Sequence, residues 1–347
     1  MKQNDDFWQT EDIESVLACP VCGAEDSHLC HIGRPDSGDL DHPEFELLPG
    51  DWNIRRCLAC QSYYLAERPT QAAIGKAYVS SYYTHTDARD LHKADNGTSL
   101  AWKFVNGYLN HRYHACRQPA LSAGFWIIAL LPPLAFQLNY FFRHLDARRA
   151  QNKRLLDIGC GNGLFLLRAQ QAGWSVTGIE IDPLAVQAAR QSGLSVTEGA
   201  FDSLSSQNEF DVASCSHVIE HVHDPLALLL AMKTYVRPGG TVWLSTPNAQ
   251  SIGHKLFGEA WYPLEPPRHL QIFSRRGLAD LFTRAGFVDI HFHCRGRGAA
   301  SSFQHSKTIA QRLNKSVLRI PAFLVDILAT ISAGFSEELI VTARKPE

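Results

Sequence analysis

Short apolar runs alternate with amphipathic stretches from residue 153 to about residue 298. The run from Arg154 to Ile158 is followed by a helix-like stretch that ends near Gly173, and a second run covers Trp174 to Ile179. Runs of this length are typical of buried strands, and the stretches between them repeat with the period of a helix. The alternation predicts a doubly wound α/β fold, in which a mostly parallel sheet binds ligands outside the carboxyl ends of its strands.

The rest of this region and the C-terminus supply further elements. Five more apolar runs predict strands, which makes seven in all: Leu194 to Thr197, Phe210 to Ser216, Thr241 to Ser245, Val288 to His293 and Glu338 to Ala343. Helices are predicted at Asp182-Pro183 through Arg190, Pro225 to Val236, and Arg275 to Ala285. An additional segment at about 299–336 separates the last two strands and carries an apolar helix from Val317 to Ile331.

Residues 118–142 contain no charged side chain, although arginines lie on both sides of this run. The length would suit a membrane span, but Pro132-Pro133 at its centre would break a straight helix. We therefore predict a helix–turn–helix that lies on the protein or on a membrane surface. The polar stretch before it contains Tyr78, Tyr82 and Tyr83, which we interpret as a packed lid.

Two Cys-x-x-Cys pairs lie near the N-terminus, separated by 34 residues. The pairs are Cys19 with Cys22 and Cys57 with Cys60. Four thiolates are a complete tetrahedral ligand set for a structural Zn²⁺ ion. Because the residues between the pairs are polar and cannot form a core, we predict a zinc-ribbon-like module that the metal holds together.

Composition indicates a globular protein of more than one unit. The chain has 347 residues, of which 45% are hydrophobic, and a formal net charge of −2. That charge gives no reason to expect a nucleic-acid partner. Because no apolar signal sequence is visible at the start, we expect a cytoplasmic protein with reduced cysteines. The predicted domains are a zinc module at 1–70, a helical cap or membrane-contact segment at 71–150, and the sheet domain at 151–347.

Three glycines at alternate positions follow the first strand of the sheet: Gly159, Gly161 and Gly163. Glycine permits tight turns and close backbone contact with a ligand, and the N–H groups of the following helix suit a nucleotide. A dinucleotide site would have its third glycine or an alanine at Leu164, so NAD is disfavoured. Glu180 ends the second strand, where its two oxygens can accept hydrogen bonds from both ribose hydroxyls.

This loop, together with Asp157 and Glu180, resembles motif I and the second strand of class I S-adenosylmethionine-dependent methyltransferases. The stretches Phe210 to Pro225, Arg237 to Asn248 and Pro266 to Ser274 resemble ubiquinone-biosynthesis-like O-methyltransferases, which implies a Rossmann-like sheet. The resemblance implies that S-adenosylmethionine is the cofactor and that residues near the strand ends bind it. These residues are Asp157, Gly159, Cys160, Gly161, Gly163, Glu180, Ile181, Ala200, Phe201 and Ser216.

The resemblance also implies a divalent ion near the fourth strand, where this chain departs from the family pattern. The family carries Glu at the position of His217, and that Glu is associated with the ion together with the residues matching Glu220 and His221. We therefore expect either a base or a Mg²⁺ site at this cluster. The sequence His-x-x-Glu-His is also similar to an inverted zinc-protease motif, but it follows a strand end instead of lying within one helix.

Methyl transfer from a sulfonium needs aligned reactants, and a hydroxyl acceptor also benefits from a base. The candidate catalytic residues are His221, Glu220, His217 and His269. We favour His221 and then His269, because the pKa of imidazole suits a base at neutral pH. The predicted reaction is O-methylation of a small molecule or glycan, such as a sugar, a lipid-linked glycan or a natural-product intermediate.

Other functions stay open at this point. They are C- or N-methylation of a nucleotide-sugar or related metabolite, a nicotinamide oxidoreductase, and an inactive cofactor-binding adaptor. The two apolar segments, 118–142 and 317–331, either pack as a helical cap over the acceptor pocket or dip into the cytoplasmic leaflet, where Trp126 and the flanking arginines would suit the interface. We therefore expect a cytoplasmic enzyme with reversible, peripheral contact to the inner face of the membrane.

Overall fold

The computed structural model describes residues 7–34, 50–78, 88–89, 97–318 and 320–347. Tyr82 and Tyr83 of the predicted lid lie outside these residues. The strands are β1 (Ile13–Ser15), β2 (Ser27–Gly33), β3 (Trp52–Cys57), β4 (Tyr63–Leu65), β5 (Glu67–Pro69), β6 (Arg154–Ile158), β7 (Ser175–Glu180), β8 (Val196–Glu198), β9 (Phe210–Ser216), β10 (Val236–Pro247), β11 (Gln271–Ile272), β12 (Val288–His293) and β13 (Glu338–Arg344). The helices are α1 (Leu100–Tyr113), α2 (Gly124–Ala129), α3 (Pro132–Phe141), α4 (Leu164–Gln171), α5 (Pro183–Gln191), α6 (Pro225–Tyr235), α7 (Ile252–Phe257), α8 (Arg275–Arg284), α9 (Ala299–Arg312) and α10 (Ala322–Ile331).

The largest sheet has seven strands in the order β12–β13–β10–β9–β6–β7–β8. Every neighbouring pair is parallel except the two pairs that include β13, which runs antiparallel to β10 and to β12. The chain adds β7 and β8 on one side of β6 and then β9 and β10 on the other side. The carboxyl ends of β6 and β9 therefore border the crevice where such sheets bind ligands. The predicted doubly wound, mostly parallel, seven-stranded sheet is confirmed.

Helices cover both faces of this sheet. On one face, α4, α5 and the helices α1–α3 share a core with strand residues such as Leu155 and Trp243. On the other face, α6 and α8 share a core with Leu156 and Val242. The side chains of neighbouring residues in one strand thus point into the cores on opposite faces of the sheet, because side chains alternate along a strand.

Asp-Pro pairs begin two of these helices, as the sequence predicts. Asp182 caps α5 by accepting a hydrogen bond from Leu184 N (2.9 Å), and Asp224 caps α6 by accepting one from Ala227 N (2.9 Å). In both helices the proline occupies the first turn, where an N–H has no partner within the helix. The two caps fix where the chain turns away from the carboxyl edge of the sheet.

A four-stranded antiparallel sheet joins the N-terminal residues to the large domain. Its order is β11–β4–β3–β2, and the two residues of β11 pair with Tyr63 and Tyr64 of β4. Cys19 and Cys60 lie in the same core as α6 and α8. The residues predicted as a zinc module therefore pack directly on the large sheet's helices, while the domain boundary at residue 70 stays a prediction.

The uncharged run forms the predicted helix–turn–helix. α2 ends at Ala129, and Pro132-Pro133 occupy the first turn of α3, where proline is tolerated. Within the described ranges, no helix has both the length and the apolar character that a membrane crossing requires.

The insertion before β13 forms α9 and α10. The sequence predicts a helix from Val317, but α10 begins only at Ala322, because Pro321 disfavours helical backbone at the residue before it. α10 contacts α3. The two apolar segments therefore lie side by side.

Candidate active site

The loop between β6 and α4 has backbone angles that glycine adopts most readily. The φ angle is +70° at Gly159, +54° at Gly161 and +84° at Gly163. A Cβ atom at Gly159 would lie 2.3 Å from Val218 Cγ2, and one at Gly163 would lie 2.2 Å from Leu194 Cδ1. The loop is therefore packed against Val218 after β9 and against Leu194 before β8, with no room for side chains at these two positions.

Glu180 lies at the carboxyl end of β7 and faces the glycine loop. Its Oε2 accepts a hydrogen bond from Gly161 N (2.7 Å), and its Oε1 accepts from Ile181 N (2.8 Å) and Asp182 N (3.0 Å). The carboxylate is thereby fixed where the ribose of a nucleotide lies in this kind of fold. Ile181 beside it is 71% exposed and offers an apolar surface to an adenine ring.

Asp157 is fully buried at the end of β6 and forms an ion pair with Arg143. Its Oδ1 accepts hydrogen bonds from Arg143 Nη1 and from Ser214 Oγ (3.0 Å). Burial raises the pKa of Asp157, and the Arg143 guanidinium opposes that shift. The second oxygen, Oδ2, is buried without a hydrogen-bond partner among the described residues. Beside a glycine cradle, such an oxygen is a fitting acceptor for the ammonium group of S-adenosylmethionine.

Cys160 contributes to the cradle through its backbone. Its Sγ points toward the sheet, because a Cβ atom at Gly178 on β7 would lie only 2.6 Å from it. The Cys160 thiol is buried, and burial raises its pKa well above the ordinary value. We therefore assign Cys160 no chemical role beyond shaping the loop.

The remaining predicted cofactor residues follow β8 and end β9. Gly199 N donates to Glu180 O (2.9 Å), which brings Ala200 and Phe201 next to the end of β7. Ser216 ends β9, and its hydroxyl forms a hydrogen bond with the hydroxyl of Ser245 on β10 (2.9 Å). All three thus lie along the carboxyl edge of the sheet, and their contact with the cofactor stays a prediction.

His217 begins the loop from β9 to α6 in a left-handed conformation, with φ of +52°. Its Nδ1 lies 3.1 Å from Glu220 Oε1, and its Nε2 lies 3.7 Å from Glu338 Oε2. Burial lowers the pKa of His217, but the hydrogen bonds to the two carboxylates outweigh it and leave the pKa well above the ordinary value. The two carboxylates therefore favour the protonated form of His217, which makes it a weaker candidate for a base than His221.

Glu220 is completely buried and is held as a carboxylate. Its Oε1 faces His217, and its Oε2 accepts a hydrogen bond from Thr246 Oγ1 (3.0 Å). Burial raises the pKa of Glu220, but the hydrogen bond from His217 and its charge reverse the shift and bring the pKa to about 2. So low a pKa makes Glu220 a poor base.

His221 has the features that a general base needs. Its Nδ1 lies 3.0 Å from Arg268 O and 3.1 Å from Tyr78 Oη. Because a carbonyl oxygen only accepts hydrogen bonds, Nδ1 carries the hydrogen and Nε2 carries the lone pair. Burial, and after it the charge of His269, lowers the pKa of His221 to about 4. The imidazole is therefore neutral at pH 7, and it is a weaker base than the ordinary imidazole on which the sequence-based expectation rested. Its candidacy depends on the free lone pair and on the position of the ring.

His269 packs edge-on against His221, with the ring centroids 4.6 Å apart. Its Nδ1 lies 2.7 Å from Pro263 O, and its Nε2 lies 3.5 Å from Glu265 Oε2. Both ring nitrogens of His269 thus lie against oxygen atoms of the protein. Of the two histidines, His221 is the better candidate for the base.

Gln271 on β11 holds the loop that carries these residues. Its Nε2 donates to Ile219 O (2.9 Å) and to Val222 O (2.8 Å). Leu270 N donates to Glu220 O (2.8 Å). The loop from β9 to α6 is therefore fixed to a strand of the N-terminal sheet.

Glu220, His221 and His269 also form a possible metal site, since one ligand atom from each lies within 4.8 Å of the others. Two imidazoles and one carboxylate suit a transition metal, whereas Mg²⁺ prefers oxygen ligands. The carboxylate is already engaged by His217 and Thr246. The sequence-based expectation of Mg²⁺ therefore finds no support at this cluster.

Comparison with known proteins agrees with this geometry. Residues 135–291 match the family model described as a methyltransferase domain. The match covers the central part of the chain, which is therefore similar to that family. The glycine loop and every strand of the large sheet except β13 lie in or overlap the matched residues.

Part of this chain is similar in sequence to methyltransferases of several bacteria. A ubiquinone biosynthesis O-methyltransferase of Cereibacter sphaeroides is 35% identical over 149 residues, which are 39% of this chain and 60% of the relative. One from Pseudomonas aeruginosa is 41% identical over 104 residues, 28% of this chain and 45% of the relative. The chain thus spans about half the length of the curated relatives it matches. An S-adenosylmethionine-dependent methyltransferase structure from Mesorhizobium loti is 18% identical, with a TM-score of 0.40, covering 60% of this chain and 98% of that one.

The four cysteines predicted to bind zinc converge beside helices α6 and α8 of the large sheet. Cys19 Sγ lies 3.7 Å from Cys60 Sγ, and Cys22 Sγ lies 3.5 Å from Cys57 Sγ. All four sulfur atoms lie within 4.8 Å of one another. In a tetrahedral site with Zn–S bonds of about 2.3 Å, the sulfur atoms are about 3.8 Å apart. The residues fit a structural Zn²⁺ ion that leaves no position open.

Several residues of the site carry no recognisable sequence signal. Arg143 is one arginine among several after the uncharged run, yet it pairs with Asp157. Tyr78 is interpreted from the sequence as part of a packed lid, yet its hydroxyl contacts His221. Arg268 forms an ion pair with Glu265 (2.9 Å) beside His269, and only the resemblance of the surrounding loop pointed to this region.

Replacing Cys57 by Ser should remove the metal from the N-terminal module. We expect elemental analysis to show about one Zn²⁺ per chain in the unsubstituted protein and none in Cys57→Ser, because three thiolates bind zinc far less tightly than four. Cys30→Ser is the matched control, since Cys30 lies on β2 outside the cluster. Equal zinc content in the two variants would contradict the assignment.

Proposed function

We propose that this chain transfers a methyl group from S-adenosylmethionine to a hydroxyl oxygen of a small-molecule acceptor. The observation that supports this most directly is His221, a neutral imidazole with its lone pair on Nε2. The loop that carries it packs on the glycine cradle, because Val218 contacts Gly159. A proton acceptor and a nucleotide cradle thus share one edge of the sheet.

S-adenosylmethionine, when bound, supplies a methyl group already activated by its sulfonium sulfur. The protein has to align the acceptor oxygen and remove its proton as the new C–O bond forms. In the proposed step that proton moves to His221 Nε2. Arg268 O keeps the ring oriented by accepting from Nδ1, and the carboxylates of Glu220 and Glu265 stabilise the resulting imidazolium.

The chemical class of the acceptor follows from this arrangement. A hydroxyl must lose a proton during methylation, whereas a neutral amine can lose it afterwards, so the dedicated base favours an oxygen acceptor. The matched relatives carry the name O-methyltransferase, which supports the same choice. We propose a sugar, a lipid-linked glycan or a natural-product intermediate as the acceptor. C- or N-methylation and an inactive cofactor-binding adaptor are the alternatives that the experiments below distinguish.

Replacing Glu180 by Gln should weaken S-adenosylmethionine binding by about 1–3 kcal/mol, the usual loss for a hydrogen bond to a charged group. Isothermal titration calorimetry measures this directly. Glu198→Gln is the matched control, because Glu198 pairs with Glu180 one strand further out and is exposed. Unchanged affinity in Glu180→Gln, or binding of NAD without S-adenosylmethionine, would refute the cofactor assignment.

Replacing His221 by Ala should lower the methylation rate roughly 10²–10⁴-fold, because the acceptor loses its base. The assay uses methyl-labelled S-adenosylmethionine with extracted pools of sugar nucleotides, lipid-linked glycans and quinone precursors. S-adenosylmethionine affinity should stay within a few-fold of the unsubstituted protein. Because His221 has a pKa of about 4, the rate should show no loss from its protonation until the pH falls toward that value.

His269→Ala and His223→Ala are the comparisons for this measurement. His223 lies two residues from His221 and bonds to Pro69 O (2.8 Å), so its removal should change the rate little. A fully active His221→Ala together with an inactive His269→Ala would move the role to His269. Label appearing on nitrogen or carbon would replace the O-methyltransferase proposal, and no transfer to any pool would favour the adaptor.

We also propose that the two apolar segments contact a membrane surface. Trp126 on α2 and Leu130 directly after it are 71% and 81% exposed, and Phe323 and Ile331 on α10 are 61% and 73% exposed. α3 contacts both α2 and α10, so it links the two apolar segments. Short amphipathic helices with an exposed Trp are typical of surfaces that lie in the bilayer interface.

Leu130→Glu should abolish binding to vesicles, because it places a carboxylate in the apolar contact. We expect at least a tenfold loss, since burying one leucine contributes about 1.5–3 kcal/mol. Leu17→Glu is the matched control: Leu17 is 84% exposed and lies near the cysteine cluster. Flotation with vesicles that contain anionic lipid measures the difference. Equal flotation of the two variants would contradict the membrane contact, and the two apolar segments would then only pack within the protein.

A further inference from the structure

The helices α1, α2 and α3 and the turn after α3 line an open cavity of about 420 Å³. Its polar wall consists of His111 and Arg112 from α1, Asn139 from α3, and Arg148 from the turn that follows. Its apolar wall includes Phe125 and Phe136. None of the described residues that line it is acidic.

The polar wall presents hydrogen-bond donors almost exclusively. Asn139 Oδ1 already accepts from Tyr108 Oη (2.9 Å) and Tyr113 Oη (2.8 Å), so the amide of Asn139 has only its N–H donors left to offer. Arg112 and Arg148 are permanently charged donors. Donors with two guanidinium groups and no acidic residue form a site for an anion.

The two arginines differ in how they are held. Arg148 is fixed by Asp146, with Nη2 2.8 Å from Asp146 Oδ2, and it also donates to Arg112 O (2.9 Å). Arg112 lies over the ring of Tyr113, 5.4 Å from its centroid, and forms no ion pair within the described residues, although its charge helps to lower the pKa of Asp146. Of the two guanidinium groups, that of Arg112 is the less engaged and the more available to a bound anion.

The apolar wall is continuous with the surface proposed to contact the membrane. Phe125 and Ala129 of α2 line the cavity, while Trp126 of α2 and Leu130 directly after this helix are largely exposed. His111 stacks on Phe125, with ring centroids 3.8 Å apart, at the junction of the polar and apolar walls. A ligand in the cavity would thus have its charge among the arginines and its apolar part beside α2.

We propose that this cavity binds the phosphate group of a membrane lipid. A guanidinium fork matches the oxygens of a phosphate, and the neighbouring apolar residues match the chains attached to it. The inference rests on the membrane contact proposed above. It adds a specific headgroup site to that contact, so the cap recognises lipid phosphate as well as an apolar interface. A soluble phosphate ester offers the same anion but leaves the exposed residues of α2 without a partner.

The test compares two arginine variants with the same change in charge. Arg112→Gln removes the available guanidinium, whereas Arg149→Gln removes a neighbouring charge whose side chain is 81% exposed and does not line the cavity. Co-sedimentation with vesicles of phosphatidylglycerol and phosphatidylcholine, at physiological salt, gives the two affinities. We expect Arg112→Gln to bind roughly tenfold more weakly and Arg149→Gln to stay within about twofold. Equal losses would mean that only the overall charge matters, which overturns the proposal.

A second variant tests the cavity without a change of charge. Ala129→Phe fills the space beside Phe125, and it should weaken vesicle binding as much as Arg112→Gln does. Unchanged vesicle binding by a folded Ala129→Phe protein would also overturn the proposal. Inorganic phosphate, titrated in the absence of vesicles, is expected to bind at least tenfold more weakly than the vesicles do; comparable affinity would assign the cavity to a soluble anion.

Separate readouts distinguish failure of this inference from failure of the contact on which it rests. If Leu130→Glu still floats with vesicles, the membrane contact itself is wrong. If Leu130→Glu loses binding but Arg112→Gln does not, only the headgroup site is wrong. S-adenosylmethionine affinity and the thermal unfolding temperature should be unchanged in Arg112→Gln, because Arg112 touches neither the glycine loop nor the His221 loop in the described structure.

Discussion

The antiparallel pairing of β4 with β11 is the interaction on which the geometry of the candidate active site depends. β11 contains only two residues, yet Gln271 on it holds the backbone of the loop that presents Glu220 and His221. β4, in turn, follows the second cysteine pair and packs on the same core as α6 and α8. The cysteine cluster thus supports the acceptor side of the site, whereas the glycine loop is held by the large sheet itself. Cofactor binding and acceptor chemistry have separate structural supports.

Two histidines of the site have pKa values that are shifted in opposite directions. His217 lies between two carboxylates, which raise its pKa, while His221 is turned toward a carbonyl oxygen and burial lowers its pKa. The positive charge that His217 carries when protonated stabilises the buried carboxylate of Glu220. The sequence motif cannot decide which of the three histidines is the base. The atoms that their ring nitrogens face distinguish them.

Features that depend on short stretches of sequence could be predicted. The glycine loop, the Asp-Pro helix starts and the cysteine pairs each follow from residues close together in the chain, whose conformational needs are local. The pairing of β4 with β11 could not be predicted, because two residues show no period and their partner lies about 200 positions away. Arg143 was missed for a similar reason: an arginine after an apolar run gives no sign of the carboxylate it meets.

The ion pair between Arg143 and Asp157 limits which segments of this protein can be exchanged by recombination. The arginine belongs to the turn after α3, and the aspartate ends the first strand of the large sheet. A sheet domain acquired without that turn would bury a carboxylate with no counter-charge, and breaking such a pair costs about 3–5 kcal/mol. The family match itself begins at residue 135, within α3, and so includes both partners. Recombination between related genes therefore has to keep the turn after α3 together with the glycine loop, because Asp157 otherwise loses its counter-charge.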